Sequence, residues 1–179
     1  MNPLPFSVIC FYGAALLVSP VLFPVTAGEL RAALSRIDIT PDKPVTLAGY
    51  SSRTNLSQGV HDPLSARAIL FEQDGRRLLL MSLDSLGFYN ATAEPLRQAV
   101  LDACQLQPSD LFLAAIHTHS APTLTLDPAK GHANNVEYTR ALKTKLAQVA
   151  RQALDRIAPM QLGVGRGASP VGSNRREVV

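Results

Sequence analysis

The chain has 179 residues, which is enough for one domain with a hydrophobic core and too few for two full domains. Its formal net charge is +3, and it has no run of Lys and Arg with interleaved aromatic residues, so nucleic acid is excluded as the expected partner. Only 17% of the residues are charged, in part because the first 27 residues contain no Asp, Glu, Lys or Arg.

The N-terminal segment is predicted to direct export. Residues 5–24 are predominantly apolar, and Val25-Thr26-Ala27 follows with small residues at the positions that suit cleavage before Gly28. We therefore expect residues 1–27 to be the signal peptide of a secreted or periplasmic protein, with an uncleaved anchor as the alternative. After cleavage the remaining sequence contains a single cysteine, Cys104, so no internal disulfide is expected.

The sequence after the signal begins with features of a β-sheet. Residues 32–39 predict a short strand, which is followed by turn-forming residues. Two further strands are predicted at residues 64–72 and 76–83, and the intervening Asp74-Gly75 favours a tight hairpin turn. Because residues 78–81 are apolar on both faces, we expect the second arm of this hairpin to be a central strand covered by helices.

Helices alternate with strands in the second half of the chain. Residues 91–105 and 134–157 carry apolar residues at helical spacing. Between them, residues 111–116 form an apolar run of strand length that leads directly into His117, and a last strand is predicted at residues 161–166. This alternation predicts the α/β class, with a layered mixed sheet flanked by helices.

The main candidate for chemistry is the segment His117-Thr118-His119. Histidines at positions i and i+2 project to the same side of an extended backbone, so two imidazoles can converge where a buried strand emerges into a loop. Neutral imidazole is a common zinc ligand, and zinc lowers the pKa of bound water to about 7. A divalent metal is therefore the economical explanation, although a pair of loop histidines is more often hydrogen-bonded or at the surface.

The sequence of residues 114–122, AAIHTHSAP, resembles the ATHTHSGP segment of the neutral/alkaline ceramidases. Other pieces occur in the order of that family: RIDITP at 36–41, AGY at 48–50, GVHD at 59–62, ARA at 66–68, a strand that ends at Asp84, and SNRR at 173–176. The resemblance covers residues 36–176, and HTHS is its most specific element. It identifies the chain as similar to the N-terminal part of a ceramidase catalytic domain.

The resemblance implies roles for three residues near the reaction. His117 would bind zinc, and His119 would act as a catalytic residue beside the metal, where it contacts the substrate or the attacking group. A loop histidine that is hydrogen-bonded to Ser120 or to the backbone is the alternative for His119. Arg175 would face the active site and orient a carbonyl or an oxyanion, although Arg176 is an alternative for this position.

The resemblance also implies substrate contacts. Gly49 is similar to a family glycine whose backbone lies against the substrate, and an ordinary turn glycine is the alternative. His61 would line the same cleft, with a loop histidine capped by Asp62 as the alternative. Asp84, at a strand end, would orient a ligating histidine. His132 matches nothing in the family and is expected at the surface.

The function that the resemblance implies is that of a secreted Zn²⁺-dependent amidohydrolase that cleaves the N-acyl amide bond of ceramide-like lipids, with transient contact to a membrane surface. That family completes its zinc site with a histidine, a glutamate and a tyrosine, and uses a serine, all C-terminal of the arginine segment. We therefore expect residues 28–179 to be the N-terminal portion of the hydrolase domain, incomplete at the C-terminus and inactive alone. A secreted non-catalytic binding domain and a zinc hydrolase of another ester or amide remain as alternatives.

Overall fold

The computed structural model describes residues 28–89 and 91–172. The predicted signal peptide, Arg175 and Arg176 lie outside the described residues. The described residues form five strands and two α-helices in the order β1 (Arg31–Asp38), β2 (Ser65–Gln73), β3 (Arg76–Leu83), α1 (Ala93–Cys104), β4 (Leu111–Ala115), α2 (Ala133–Leu154) and β5 (Ala158–Pro159), with a 3-10 turn at Pro108–Asp110 before β4.

The strands form one mixed sheet in the order β4-β3-β2-β1-β5. The β2–β3 hairpin is closed by Asp74 and Gly75, whose φ angles of 51° and 73° are those that a two-residue hairpin turn requires. Strand β3 pairs in parallel with β4, and the other neighbours are antiparallel. The predicted α/β fold with a mixed sheet is confirmed.

The two helices are layered on one face of the sheet. Helix α2 packs against β1 and β2, and α1 packs beside α2. Side chains from the sheet and from both helices are fully buried between the layers: Leu70, Leu79, Met81, Leu83, Leu96, Val100, Leu142, Leu146 and Val149. Each such side chain contributes about 1.5–3 kcal/mol, so this interface holds the domain together. Neither helix of the described part is long and apolar enough to cross a bilayer.

The opposite face of the sheet is only partly covered within the described residues. The side chains of Leu34, Leu78 and Phe112 on this face are 63%, 42% and 62% exposed. Strand β3 is central, as predicted, but the expectation that helices cover both of its faces is wrong for the described part. Successive side chains of a strand point to opposite faces, so Leu79 is buried under the helices while Leu78 points away from them.

The last strand does not lie where the sequence pattern predicts it. Residues 161–166 form no strand, and β5 consists of Ala158–Pro159, which pairs with the start of β1. The backbone N–H of Met160 donates to the carbonyl of Leu30, just before β1 begins. Among the described residues the pairing along this edge ends at that bond, so the extended sequence of residues 161–166 does not by itself form a strand.

Candidate functional site

The candidate site lies where two parallel strands end at the same edge of the sheet. Strand β3 is followed by Asp84, Ser85 and Leu86, and β4 is followed by the histidine segment. The carbonyl of Ser85 accepts the backbone N–H groups of His117, at 3.0 Å, and of Thr118, at 3.2 Å. The parallel pairing therefore continues past the strands and fixes the start of the histidine loop.

The backbone of His117 is not extended, contrary to the premise of the sequence argument. Its φ angle is +66°, in the left-handed region that non-glycine residues rarely occupy. Such a conformation costs on the order of 1–3 kcal/mol and is typical of functional sites. The imidazoles of His117 and His119 nevertheless lie together, with ring centroids 5.2 Å apart and planes at 74°. The predicted convergence is confirmed, but it arises from a turn and not from strand alternation.

One nitrogen of the His117 imidazole is hydrogen-bonded to the backbone, and the other is available to bind a ligand. Its Nδ1 lies 2.7 Å from the carbonyl oxygen of Leu86. Since a carbonyl can only accept, Nδ1 carries the proton in this contact, and in the neutral ring Nε2 keeps a lone pair. A backbone carbonyl bound to one nitrogen in this way is the usual support of a histidine that ligates a metal through the other.

The imidazole of His119 is enclosed on two sides. The ring of Tyr50 meets it edge to face, with centroids 5.0 Å apart and planes at 68°. On a second side the imidazole packs against Gly49: a Cβ at position 49 would be 2.5 Å from both Cγ and Nδ1 of His119. Nδ1 is buried and has no hydrogen-bond partner among the described residues. Nδ1 of His119 therefore does not make the hydrogen bond to Ser120 that the alternative interpretation of this histidine expects.

Gly49 packs directly against His119, a role that the resemblance does not imply. Its φ of +103° requires glycine, and its backbone backs onto the His119 ring. Within the described residues, Gly49 thus makes room for a candidate catalytic side chain. A contact with substrate stays a prediction.

Asp84 is buried beside the site, and among the described residues its carboxylate bonds Ser65 and Arg67 and no histidine. Its carboxylate accepts hydrogen bonds from the backbone and hydroxyl of Ser65 and from the guanidinium of Arg67, at 2.8, 2.9 and 2.9 Å. Burial raises the pKa of Asp84, yet the bonds from Arg67 and Ser65 outweigh burial and hold that pKa below its ordinary value. The role predicted for Asp84 is therefore corrected: the partner of His117 is the Leu86 carbonyl, and Asp84 anchors the end of β3.

His61 lies on the wall of a groove of about 820 Å³ next to the histidine loop. The same groove is lined by Thr118, Ser120 and Asp84. The His61 side chain is 97% exposed, and its Nδ1 lies 2.8 Å from the Asp62 carboxylate. His61 is thus a solvent-exposed histidine paired with Asp62 at the edge of this groove, and a contact with substrate stays a prediction.

Two residues have roles that the sequence did not predict, Arg53 at the site and His132 at the start of α2. Arg53 donates to backbone carbonyls on both sides of the site, and no motif marked it. His132 is exposed, as expected, and it is also the N-cap of α2, where its Nδ1 accepts the backbone N–H of Asn134 at 3.1 Å. The position of His132 directly before a helical pattern was the signal that could have identified it.

The described residues fit a zinc site in part. His117 offers an available imidazole nitrogen in a tautomer fixed by a carbonyl, and His119 lies beside it. Catalytic zinc usually has three protein ligands. In residues 28–89 and 91–172, no three His, Cys, Asp or Glu side chains converge as a metal site. The donor type is therefore suitable, and the ligand set of the described part is incomplete.

The fold and the histidine loop define a layered α/β domain similar to the neutral ceramidases. The chain is 29% identical, over 119 residues, to neutral ceramidase 1 of Arabidopsis thaliana, in an alignment that covers 59% of this chain and 15% of that relative. No family model matches the chain.

Solved structures support the same fold. The neutral ceramidase from Pseudomonas aeruginosa superposes with a TM-score of 0.60 at 23% identity, and a ceramidase complexed with C2 superposes with a TM-score of 0.58 at 23% identity. Each superposition covers 74% of this chain and 22% of the solved chain. The similarity to the neutral ceramidases inferred from the HTHS segment is thus confirmed, and the chain spans less than a quarter of the length of these relatives.

Proposed function

We propose that the chain forms part of a zinc-dependent amidohydrolase that cleaves the N-acyl amide bond of a ceramide-like lipid. The observation that carries the proposal is the state of the His117 imidazole, whose Nδ1 is bound by the Leu86 carbonyl while Nε2 stays available beside His119. The similarity to ceramidases, proteins whose names denote hydrolysis of ceramide, supports the same reaction class. The specific acyl amide is part of the proposal.

His117 would hold the zinc through Nε2. Bound zinc supplies Lewis-acid stabilisation of a substrate carbonyl and a nucleophile at neutral pH. Because the described residues provide too few ligands, the remaining ligands would come from polypeptide outside residues 28–172. A polypeptide limited to the described part is therefore expected to be inactive.

His119 would contact the reacting groups through one nitrogen. Nδ1 is buried against Gly49, so Nε2 is the nitrogen left to hydrogen-bond the substrate or to move a proton. Arg175, outside the described residues, is proposed to orient the carbonyl or the oxyanion with its two forked donors. These two side chains would then act on the same atoms from different segments of the chain.

The groove beside the histidine loop is the proposed path of the lipid-like substrate. Its volume of about 820 Å³ lies in the range of ligand pockets, roughly 300–1,000 Å³, and its walls combine apolar residues such as Ile116 and Pro122 with polar ones such as Thr118. His61 is proposed as a substrate contact on the wall of this groove, and Gly49 as a substrate contact beside His119. Such a substrate would be drawn from a lipid surface, which implies transient membrane contact.

Export of the protein, into the periplasm or the medium, is also a proposal. It is supported by the place of Gly28, whose backbone N lies 3.0 Å from Oδ1 of Asp74 and whose carbonyl accepts from Gln73. Cleavage before Gly28 would place a positively charged amino group beside the Asp74 carboxylate. Mass spectrometry of the exported protein should find Gly28 at its N-terminus, and an N-terminus at Met1 would contradict cleavage.

The activity test compares the 179-residue chain with the longest polypeptide that its reading frame encodes. Both are assayed for release of fatty acid from N-acylsphingosines and from simpler N-acyl amines, before and after chelation and with zinc restored. We expect zinc-dependent release by the longer polypeptide alone. Release from other esters or amides only would favour a hydrolase of a different substrate, and a longer polypeptide with neither zinc nor turnover would favour a non-catalytic binding domain.

A further inference from the structure

A single guanidinium joins the loop of Gly49 and Tyr50 to the histidine loop. The Nη2 atom of Arg53 lies 2.6 Å from the carbonyl oxygen of Ala48 and 2.6 Å from the carbonyl oxygen of His119. A guanidinium NH₂ group has two hydrogens, so it donates to both carbonyls at once. The main chain of His119 is thereby tied to the residue that precedes Gly49.

The same guanidinium also acts on the ring that contacts His119. The Cζ atom of Arg53 lies 5.0 Å from the centroid of Tyr50, within the range of a cation–π interaction. Tyr50 in turn meets the His119 imidazole edge to face. Arg53 therefore constrains His119 in two ways, through its backbone carbonyl and through its aromatic neighbour.

The partly buried position of Arg53 costs free energy, which the contacts described above must offset. Its Nε is buried and has no acceptor among the described residues, and a buried unpaired N–H costs about 1–3 kcal/mol. An arginine that simply faced water would avoid this cost. A lysine has a compact ammonium in place of the planar fork, so it cannot stack on Tyr50 and span both carbonyls in the same way.

We propose that Arg53 is a positioning residue that sets the orientation of the His119 imidazole. The evidence for the orientation of the His119 ring is the set of contacts described above. The expected effect on turnover depends also on the proposed function. Among the described residues Arg53 contacts Ala48, Tyr50 and His119 and does not line the groove, so its effect on the reaction would pass through His119.

The placement is tested on the 179-residue chain by NMR of labelled histidine side chains, with His119→Gln used to assign the resonances. In Arg53→Lys, the ring resonances of His119 should shift while those of His61 and His132 stay in place. The control is Arg77→Lys, which changes an arginine at the far end of β3 that pairs with Glu72. Unchanged His119 resonances in folded Arg53→Lys would overturn the proposal.

The consequence for turnover is tested in the longer polypeptide. Arg53→Lys should lower kcat/KM about tenfold, as for residues that orient a functional group, with zinc content unchanged. Arg53→Ala should regain part of its activity with added guanidinium below denaturing concentrations, and Arg77→Lys should match the wild type. If the wild type is active and Arg53→Lys is equally active, the positioning role is overturned and the proposed function is left standing. If the His119 resonances shift in Arg53→Lys but the wild-type longer polypeptide shows no turnover, the positioning of the ring is supported and the proposed function is refuted.

Discussion

Gly49 and His119 are in direct contact, and the contact depends on the absence of a side chain on Gly49. A Cβ there would lie 2.5 Å from Cγ and Nδ1 of the imidazole and 2.8 Å from its Cβ. These distances are too short for any pair of non-bonded atoms, so the ring could not keep its place. The glycine thus determines where a candidate catalytic histidine can lie.

The first prediction is that Gly49→Ala destabilises the chain. The new methyl group would overpack the site against His119, and alanine would be strained at a φ of +103°. Together these effects should lower the free energy of unfolding by about 1–3 kcal/mol, measured by urea denaturation. Gly59→Ala is the matched control, because a Cβ at Gly59 meets no atom within 4 Å. Equal stability of the two variants would contradict this account of Gly49.

The second prediction concerns the stability that Asp84 contributes as a function of pH. The pKa of its carboxyl in the folded chain lies below the ordinary value of 3.8. A lowered pKa means that the ionised group stabilises the folded state above pH 3.8, and that this contribution is lost as the pH falls through the folded pKa. Asp84→Asn should therefore cost about 1–3 kcal/mol near neutral pH and progressively less below pH ~4.

The control for Asp84 is a carboxylate with little burial. Asp62 is 87% exposed and pairs with His61 at the surface, so Asp62→Asn should change the free energy of unfolding by less than about 0.5 kcal/mol. Urea unfolding at several pH values measures both variants. A pH-independent difference between wild type and Asp84→Asn would show that charge is not the cause.

The third prediction concerns Asn135, a fully buried amide that ties two loops to helix α2. Its Oδ1 accepts from the N–H of Thr46, and its Nδ2 donates to the carbonyls of Thr46 and Thr123, each at 2.9 Å. Asn135→Ala would leave three backbone groups without these partners and should cost about 2–5 kcal/mol in unfolding experiments.

The neighbouring Asn134 provides the matched control for this amide. Its Nδ2 donates to the carbonyl of Pro44 at an exposed position, so Asn134→Ala should cost only about 0.5–1.5 kcal/mol. A loss of stability at Asn135 no larger than at Asn134 would contradict the assignment of Asn135 as the anchor of the two loops.

The parts of the fold that the sequence predicted are those set by local chemistry. Asp74-Gly75 specified the hairpin turn, and apolar spacing specified the helices α1 and α2 and the strand before His117. The strand predicted at residues 161–166 does not form, since among the described residues the pairing along β1 ends at Leu30. Pairing partners are a property of the whole sheet, so the extended pattern of one segment could not determine them.

The candidate site was predicted less completely than the fold. The HTH spacing identified His117 and His119, yet it could not reveal the left-handed backbone at His117 or the Leu86 carbonyl that binds its Nδ1. Arg53 belongs to no motif and Tyr50 only to the short AGY piece, and the packing of two distant loops brings both to His119. Contacts of this kind depend on tertiary structure and leave no periodic signal in the sequence.

The most direct test of the account is the zinc content and turnover of the longer polypeptide carrying His117→Ala. The control is His132→Ser, since His132 caps α2 and serine can also serve as an N-cap. The account predicts that the wild type and His132→Ser contain zinc and release fatty acid from N-acyl amides, and that His117→Ala loses both properties. Zinc content and turnover that stay at the wild-type level in His117→Ala would contradict it.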